Sequence, residues 1–491
     1  MRSHSDWLSA LTRHASDRPR AIAAAEVSAD GTIARSISFA ALLTSIHQRA
    51  HTIAAHTKPQ QRILCALPSG IELIEWFAAS LLAGSQLVLM HPRSGPGECA
   101  SIFARTNAAA ALADDTLVTR LTPRPLLLNQ VATPQTTTPF TPSTAPGGII
   151  LGSSGTVGLP KLVRREWPAL DADARAVARG FGLTTVDIVL CVPPLCHSYG
   201  VDILLGTLFA GATLRIMHEF DAPGAAAQLR RDITILPGIP FIYESLARLD
   251  PCPLESPLAP PFNVRVAVSA GSPLAARVRD EFTRLWHIPI GQLYGATELG
   301  TVSLELPTTP EFDALAIGRP LPEVSFRIVD VNDPARTLRA GEEGQLAVHA
   351  PSMLSGYVDD TMHLVDGHLL TGDLARIDTS GRATITGRLK LLIDTGGFKV
   401  NPLEVEAMLL EHPLVAECAV VPMALSDTIH RPLAFIVPRD LHQTPTDADL
   451  RRFLRDRLAP TKIPRSFEIV ASLPRSPMGK LLRDQLMKER S

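Results

Sequence analysis

Leu151–Lys161, "LGSSGTVGLPK", brings three glycines, three hydroxyl residues and a lysine into one short stretch. Glycines lacking a Cβ, beside hydroxyl residues, let backbone N–H and side-chain O–H groups converge on phosphate oxygens. The spacing departs from the Walker A loop, in which Lys directly follows the last Gly. Here Leu159 and Pro160 separate Gly158 from Lys161, and a proline would deny a following helix one donor. Alone, the stretch serves equally as a Ser/Gly turn. A second stretch, "LYGATELG", sets Tyr294, Thr297 and Glu298 directly after a strand pattern. A tyrosine face can stack on a purine, a threonine hydroxyl can touch phosphate, and a glutamate can hold a hard cation such as Mg²⁺. "TGD", ending at Asp373, offers a carboxylate able to accept from two ribose hydroxyls.

These residues must be carried by ordered elements, and the hydrophobic pattern supplies them. "SFAALLTSIHQRAHTIAA" (38–55) has helical spacing, "RILCALP" reads as a buried strand, and "GIELIEWFAASLLAGS" reads as a helix closed by Gly84. Strands and helices alternate on through "QLVLM", "AALADD", "LCVPPL", "TLRIM", "ITILPG" and "VRVAVSAG", which predicts an α/β core with a parallel sheet. The Pro/Thr-rich segment 132–148 reads as an exposed connection feeding the strand "GIIL" ahead of the phosphate-type loop. From about Ser325 the texture changes to short strands, and a last block of roughly a hundred residues has helices and strands enough for a small α+β domain. The expected organisation is a large N-terminal domain of α/β layers with a small β-rich part (1–386), a hinge (387–391) and a small mobile C-terminal domain (392–491).

Composition excludes several classes. At 491 residues the chain exceeds one core. A net charge of −2 gives no reason to invoke nucleic acid or an anionic membrane. No run of about 18 uncharged apolar residues predicts a membrane span, and "MRSHSDWLSALTRHASDRPR" lacks the apolar core of a secretory signal. The six cysteines are scattered without zinc or disulfide spacing, so a cytoplasmic setting is expected.

Taken with "GRLKLLIDTGGFKVNPLEVE" and "PRSPMGKLLR", the motifs stand in one order along nearly the whole chain. In that order they resemble the adenylate-forming superfamily: acyl- and aryl-CoA synthetases, peptide-synthetase adenylation domains and luciferases. The glycine-rich stretch is similar to that family's element over the β- and γ-phosphates of ATP, with Val157 and Leu162 as departures. The resemblance implies that Ser153, Ser154, Gly155, Thr156 and Lys161 contact phosphate, and that Gly271, Ser272 and Pro273 pack on adenine opposite Tyr294 and Gly295. It implies a ribose-binding pair in Asp373 and Arg388, a Mg²⁺ ligand in Glu298, a phosphate contact in Thr297, and a hinge at Lys390. Lys480 matches the lysine that bridges carboxylate and α-phosphate, and Gly396 and Gly397 match the loop lining the thiol tunnel. A bland role stands beside each: Tyr294 as a core aromatic, Glu298 as a helix cap, Asp373 as a turn residue, Lys480 as a solvated helix charge.

Three further stretches carry expectations. In "PPLCHSYGVD", His197 resembles the histidine of CoA synthetases, where α-amino-acid adenylation domains carry an Asp; a core histidine is the alternative. An unpaired ammonium would be costly to bury, so the expected substrate is an ordinary carboxylic acid. "NPLE" reads as a capping box from Asn401 to Glu404, and the paired Arg164 and Arg165 read as a solvated face. Small residues at Ala270, Gly291, Ala296 and Gly300 stand where the family lines its acyl pocket, alongside His197. The implied reaction joins an acid, an aryl acid such as a hydroxybenzoate, to AMP from ATP with Mg²⁺, then passes the acyl group to CoA or an acyl carrier protein. A fatty acyl-CoA synthetase and a degenerate nucleotide-binding protein are the alternatives, the latter drawing on Val157, Leu162 and Leu391.

Overall fold

A computed structural model describes residues 5–119, 121–153, 160–249, 262–309, 311–395, 399–424, 430–475 and 481–488. The alternating pattern becomes two large sheets. One runs Gly356–Tyr357, Lys161–Glu166, Gly148–Ser153, Gln86–Leu89, Arg62–Cys65, Ala110–Leu112 and Leu126–Leu127. Five of these seven strands, from Gly148–Ser153 onward, are parallel, and the other two are antiparallel. The second sheet has nine strands, with a parallel centre that includes Ile188–Cys191, Ile235–Gly238, Val266–Ser269 and Ile290–Ala296.

The largest core cluster joins the two sheets through the helices Phe39–His56, Ile71–Leu82, Trp167–Gly180 and Ser198–Ala210. Strand alternation explains how. Ile63, Leu87 and Ile149 point into this cluster, while Leu64, Val88 and Ile150 pack on the opposite face against Pro96–Thr106. Because these helices are covered on both sides, Ile71–Leu82 is apolar almost all round. The predicted helices and strands up to "VRVAVSAG" are found, and Gly84 ends its helix with φ +73°. The 132–147 connection has no helix or strand, yet it is not free of the body: Phe140 packs against the core and its N–H donates to His47.

The β-rich part is a five-stranded sheet of Ser325–Val329, Gly344–His349, His368–Ile377, Leu364–Val365 and Ala383–Arg388. The small C-terminal domain packs Pro402–Leu410 and Asp447–Arg455 on the strands Val415–Ala424, His430–Pro438 and Ser466–Ile469. Its first helix corrects one expectation. Asn401 does cap it, accepting from Leu403 N–H at 3.1 Å. Glu404, however, turns to Lys462, which donates to both carboxylate oxygens at 2.6 and 2.7 Å, so the reciprocal half of the capping box is replaced by an ion pair.

Candidate active site

Strand pairing assembles the first cluster. Asp373 and Arg388 are register partners on antiparallel neighbours, so their side chains share a face. Arg388 Nε lies 3.4 Å from Asp373 Oδ1, and Tyr294 Oη donates to Asp373 Oδ2 at 2.7 Å. Burial, and then the Asp373 carboxylate, push the Tyr294 hydroxyl well above its usual range, which keeps it a neutral donor. Ser269 pairs with Gln292 in parallel register, so the exposed Gly271–Pro273 loop leaves its strand beside the Tyr294 end of the next. Gly271 has φ +84° and, beyond Ile239 at 3.8 Å, open space where a Cβ would stand.

Thr297 and Glu298 occupy the tight turn between Ile290–Ala296 and Gly300–Glu305. The turn is held from behind: Leu354 N–H donates to Glu298 O at 2.7 Å, and Ser352 Oγ donates to Leu299 O at 2.6 Å. Gly295 must lack a side chain because Gly300 O lies 2.4 Å from its Cβ position. Across the site, Ser153 and Lys161 are register partners flanking the glycine-rich loop. Lys161 Nζ pairs with Asp360 Oδ2 at 2.6 Å and lies 5.0 Å from the Tyr357 ring centre. Burial first, then the Glu298 and Asp360 carboxylates, push the Tyr357 hydroxyl up to about 12, so Glu298 and Lys161 approach a common neighbour. Ser154, Gly155, Thr156, Gly396, Gly397 and Lys480 lie outside the described residues. Lys390 is exposed in the short turn Leu389–Leu391 that follows Arg388.

His197 precedes the Ser198–Ala210 helix, and its ring centre lies 6.3 Å from that of His91. Burial, with a smaller push from His91, takes its pKa down to about 4 from the ordinary 6.5, so it is neutral at pH 7. Protonation therefore favours the unfolded chain: His197's contribution to stability is complete above pH 6.5 and lost as pH falls towards 4. The midpoint of urea unfolding should drop between pH 7 and pH 4.5 more steeply in the parent than in His197→Gln; equal slopes would show that another group titrates.

Two sequence expectations are corrected here. Arg165 is fully buried rather than solvated, paired with Asp173 at 2.6 Å and Asp202 at 3.1 Å. Two of the small residues are small for packing reasons: a Cβ at Gly291 would meet Glu305 O at 2.4 Å, and one at Gly300 would meet Arg165 Nη2 at 2.6 Å. Both positions are crowded on the side a Cβ would take. Ala270 is buried and Ala296 half-buried. The sequence reading also missed Tyr199, inside a stretch it singled out. Tyr199 Oη and Ser269 Oγ are buried with no hydrogen-bond partner. Tyr199 comes up against the Gly238 backbone, and Gly238 is the register partner of Ser269, so both hydroxyls belong to one spot at the carboxyl ends of these strands. With only four tyrosines in the chain, its position next to His197 was a usable signal. Asp359 and Asp360, which hold Arg105 and Lys161, had no local signal at all.

The described site thus brings an aromatic, a carboxylate–arginine pair and an acidic turn together on an α/β body with a β-rich part. The AMP-binding enzyme family matches residues 11–358 and its C-terminal domain matches 404–480. The chain belongs to the AMP-binding enzyme family. Among curated relatives, 4-coumarate–CoA ligase 2 of Nicotiana tabacum is 32% identical over 353 residues, covering 68% of this chain and 64% of the relative. The chain thus matches a little under two thirds of that enzyme's length. Among solved structures, ATP-bound MatB from Rhodopseudomonas palustris superposes with a TM-score of 0.88 at 23% identity, with 99% of each chain covered. The o-succinylbenzoate CoA synthetase MenE from Bacillus subtilis, in complex with its acyl-adenylate, gives 0.84 at 24% identity, with 98% of each covered. These likenesses establish the fold. No helix among the described residues is long and apolar enough to cross a membrane.

Proposed function

We propose that the protein is an ATP-dependent acid–thiol ligase. A carboxylate oxygen of the acid attacks the α-phosphorus of ATP, the bond to pyrophosphate breaks, and acyl-AMP forms. A thiol then attacks the acyl carbonyl and AMP leaves. The observation that carries this reading is the Tyr294–Asp373–Arg388 cluster, with Tyr294 on the strand that leads directly into the Thr297–Glu298 turn. Asp373 would accept from ribose hydroxyls, Arg388 would hold that carboxylate in place, and the Tyr294 face with Gly271, Ser272 and Pro273 would enclose adenine. Thr297, Ser153 and Lys161 would meet phosphate, Lys161 exchanging Asp360 for it. Among the described residues no group of three or more His, Cys, Asp or Glu side chains could hold an ion. A single carboxylate at Glu298 fits Mg²⁺ that keeps phosphate and water oxygens for the rest of its shell. When bound, the ion neutralises charge on the phosphates.

The chain's own part is positioning and charge placement. Lys480 would sit between the two anions during adenylation. Rotation of residues 392–491 about Lys390 would then replace it with the Gly396–Gly397 loop for thiol entry. The acid we propose is an aryl acid bearing a hydroxyl, with neutral His197 near its carboxylate. Support comes from Ser269 Oγ, a buried hydroxyl without a partner, which costs about 1–3 kcal/mol unless an occupant satisfies it, and from Tyr199 Oη beside it, which meets only the Gly238 backbone. The acceptor is a phosphopantetheine thiol, of CoA or an acyl carrier protein, and the setting a cytoplasmic one, in keeping with the five cysteines among the described residues, all free and buried.

The test is pyrophosphate release across hydroxybenzoates, unsubstituted benzoate, short-chain and long-chain acids, each with hydroxylamine, CoA or holo carrier protein. Release with none of them would overturn the ligase reading, and preference for palmitate would overturn the aryl assignment. Within the panel, Tyr199→Phe should lose about 10-fold or more of the kcat/KM preference for a hydroxybenzoate over benzoate. Retention of that preference would remove Tyr199 from the pocket.

A further inference from the structure

We infer that the buried Arg165–Asp173–Asp202 network is a positioning device that sets the Thr297–Glu298 turn of the adenylation site; the catalytic part of this inference rests on the function proposed above. Arg165 leaves the Lys161–Glu166 strand, four residues beyond Lys161, and every end of its guanidinium is engaged. Nη2 donates to Asp173 Oδ2 at 2.6 Å, Nη1 to Asp202 Oδ1 at 3.1 Å and Ser198 Oγ at 3.5 Å, and Nε to Ser352 O at 3.2 Å.

The same groups reach the turn's backbone. Asp173 Oδ1 accepts from Thr301 N–H at 3.1 Å, and Thr301 Oγ1 donates to Asp202 Oδ2 at 3.3 Å. Ser352, whose carbonyl holds Arg165, sends its hydroxyl to Leu299 O at 2.6 Å, and Leu354 N–H holds Glu298 O at 2.7 Å. Residues 299 and 301 are thus tethered to the hub itself, and residue 298 to Leu354, two residues beyond Ser352. Gly300 between them has φ +69° and no space for a Cβ against Arg165 and Asp173. The hub also joins the phosphate-loop strand to the helix that starts just after His197, so it spans three parts of the proposed site.

Stability alone does not explain these groups. Arg165 and Asp173 are wholly buried, and well-packed apolar residues in place of a buried ion set are often as stable. What an apolar cluster cannot supply is directed acceptors and donors for the amides and carbonyls of one turn. Burial, and then the neighbouring Asp173, raise Asp202 well above the usual carboxylate range, while the Arg165 guanidinium acts in the opposite direction.

The experiment compares Arg165→Lys and Ser352→Ala with Leu229→Ala, a substitution in a separate core cluster, all in the full-length chain. Arg165→Lys loses the fork; Ser352→Ala keeps every charge and removes only the tether to Leu299 O. Three quantities are read: hydrogen exchange of amides 298–302, the MgATP dissociation constant by calorimetry, and kcat and KM for adenylation of the acid the parent uses best. Both hub variants should exchange about 10-fold faster at the turn and lose about 10-fold in kcat, with KM for the acid within about two-fold. Leu229→Ala should lower Tm without either change. If Arg165→Lys does not fold, Ser352→Ala decides alone. The inference is overturned if turn exchange and kcat in Ser352→Ala stay within about two-fold of the parent, or if Leu229→Ala moves them equally. A parent that adenylates nothing would sink the proposed function instead, and the exchange comparison would still judge the hub.

Discussion

Lys480→Ala should abolish most acyl-AMP formation while sparing the thiol step. The resemblance gives Lys480 a task only while carboxylate and α-phosphate are being joined. Without its charge two anions face each other, and a lost contact to charge developing in the transition state costs about 3–4 kcal/mol, or about 10²–10³ in rate. In the proposed cycle, thiol attack on preformed acyl-AMP would follow rotation about Lys390, with Lys480 turned away. The variant should therefore convert synthetic acyl-AMP and thiol to thioester at close to the parent rate. Gly397→Leu should show the opposite defect, because a bulky side chain obstructs the thiol route only after rotation. Timing both half-reactions in both variants decides the matter. Equal slowing of both steps in both variants would rule out alternation between two domain positions.

Gly300→Leu should destabilise the fold rather than change which acid is used. Its left-handed φ of +69° costs a branched residue on the order of 1–2 kcal/mol. The larger effect is steric: a Cβ would stand 2.6 Å from Arg165 Nη2 and 2.8 Å from Asp173 Oδ2. Prising a buried ion pair apart costs about 3–5 kcal/mol. Together these approach the whole stability of an ordinary domain, about 5–15 kcal/mol. Gly341 provides the comparison, with φ +86° and nothing within 4 Å of its Cβ position. Gly341→Leu carries the backbone strain alone and should cost about 1–2 kcal/mol in urea unfolding. If Gly300→Leu unfolds no more readily than Gly341→Leu and merely stops using aryl acids, the residue lines the acyl pocket after all.

Gly300 marks where sequence reasoning reaches its limit. A glycine beside an acidic turn is compatible with an open pocket or with crowding behind it, and only the position of Arg165 distinguishes them. Arg165 was itself misjudged for the same reason. Two adjacent arginines on a strand point to opposite faces, yet which face is buried depends on Asp173 and Asp202, which arrive on two later helices. The Glu404 capping box failed alike, because Lys462 competes for the carboxylate from 58 residues away.

What the sequence determined by itself was local or collinear. Hydrophobic period set the helices and strands, including Phe39–His56, Ile71–Leu82 and the buried strands up to Val266–Ser269. The order of short motifs identified the family before any contact was known, since glycine, hydroxyl and acidic residues at fixed spacing are chemical requirements of the loop that carries them. The tertiary structure alone decided partnership. It brought Tyr294 to Asp373 across 79 residues, Lys161 to Asp360 across 199, and Arg165 to Ser352 across 187. The physical reason is that burial and charge pairing act through distance in space. Spacing along the chain constrains distances within a helix or hairpin and leaves open which elements pack together.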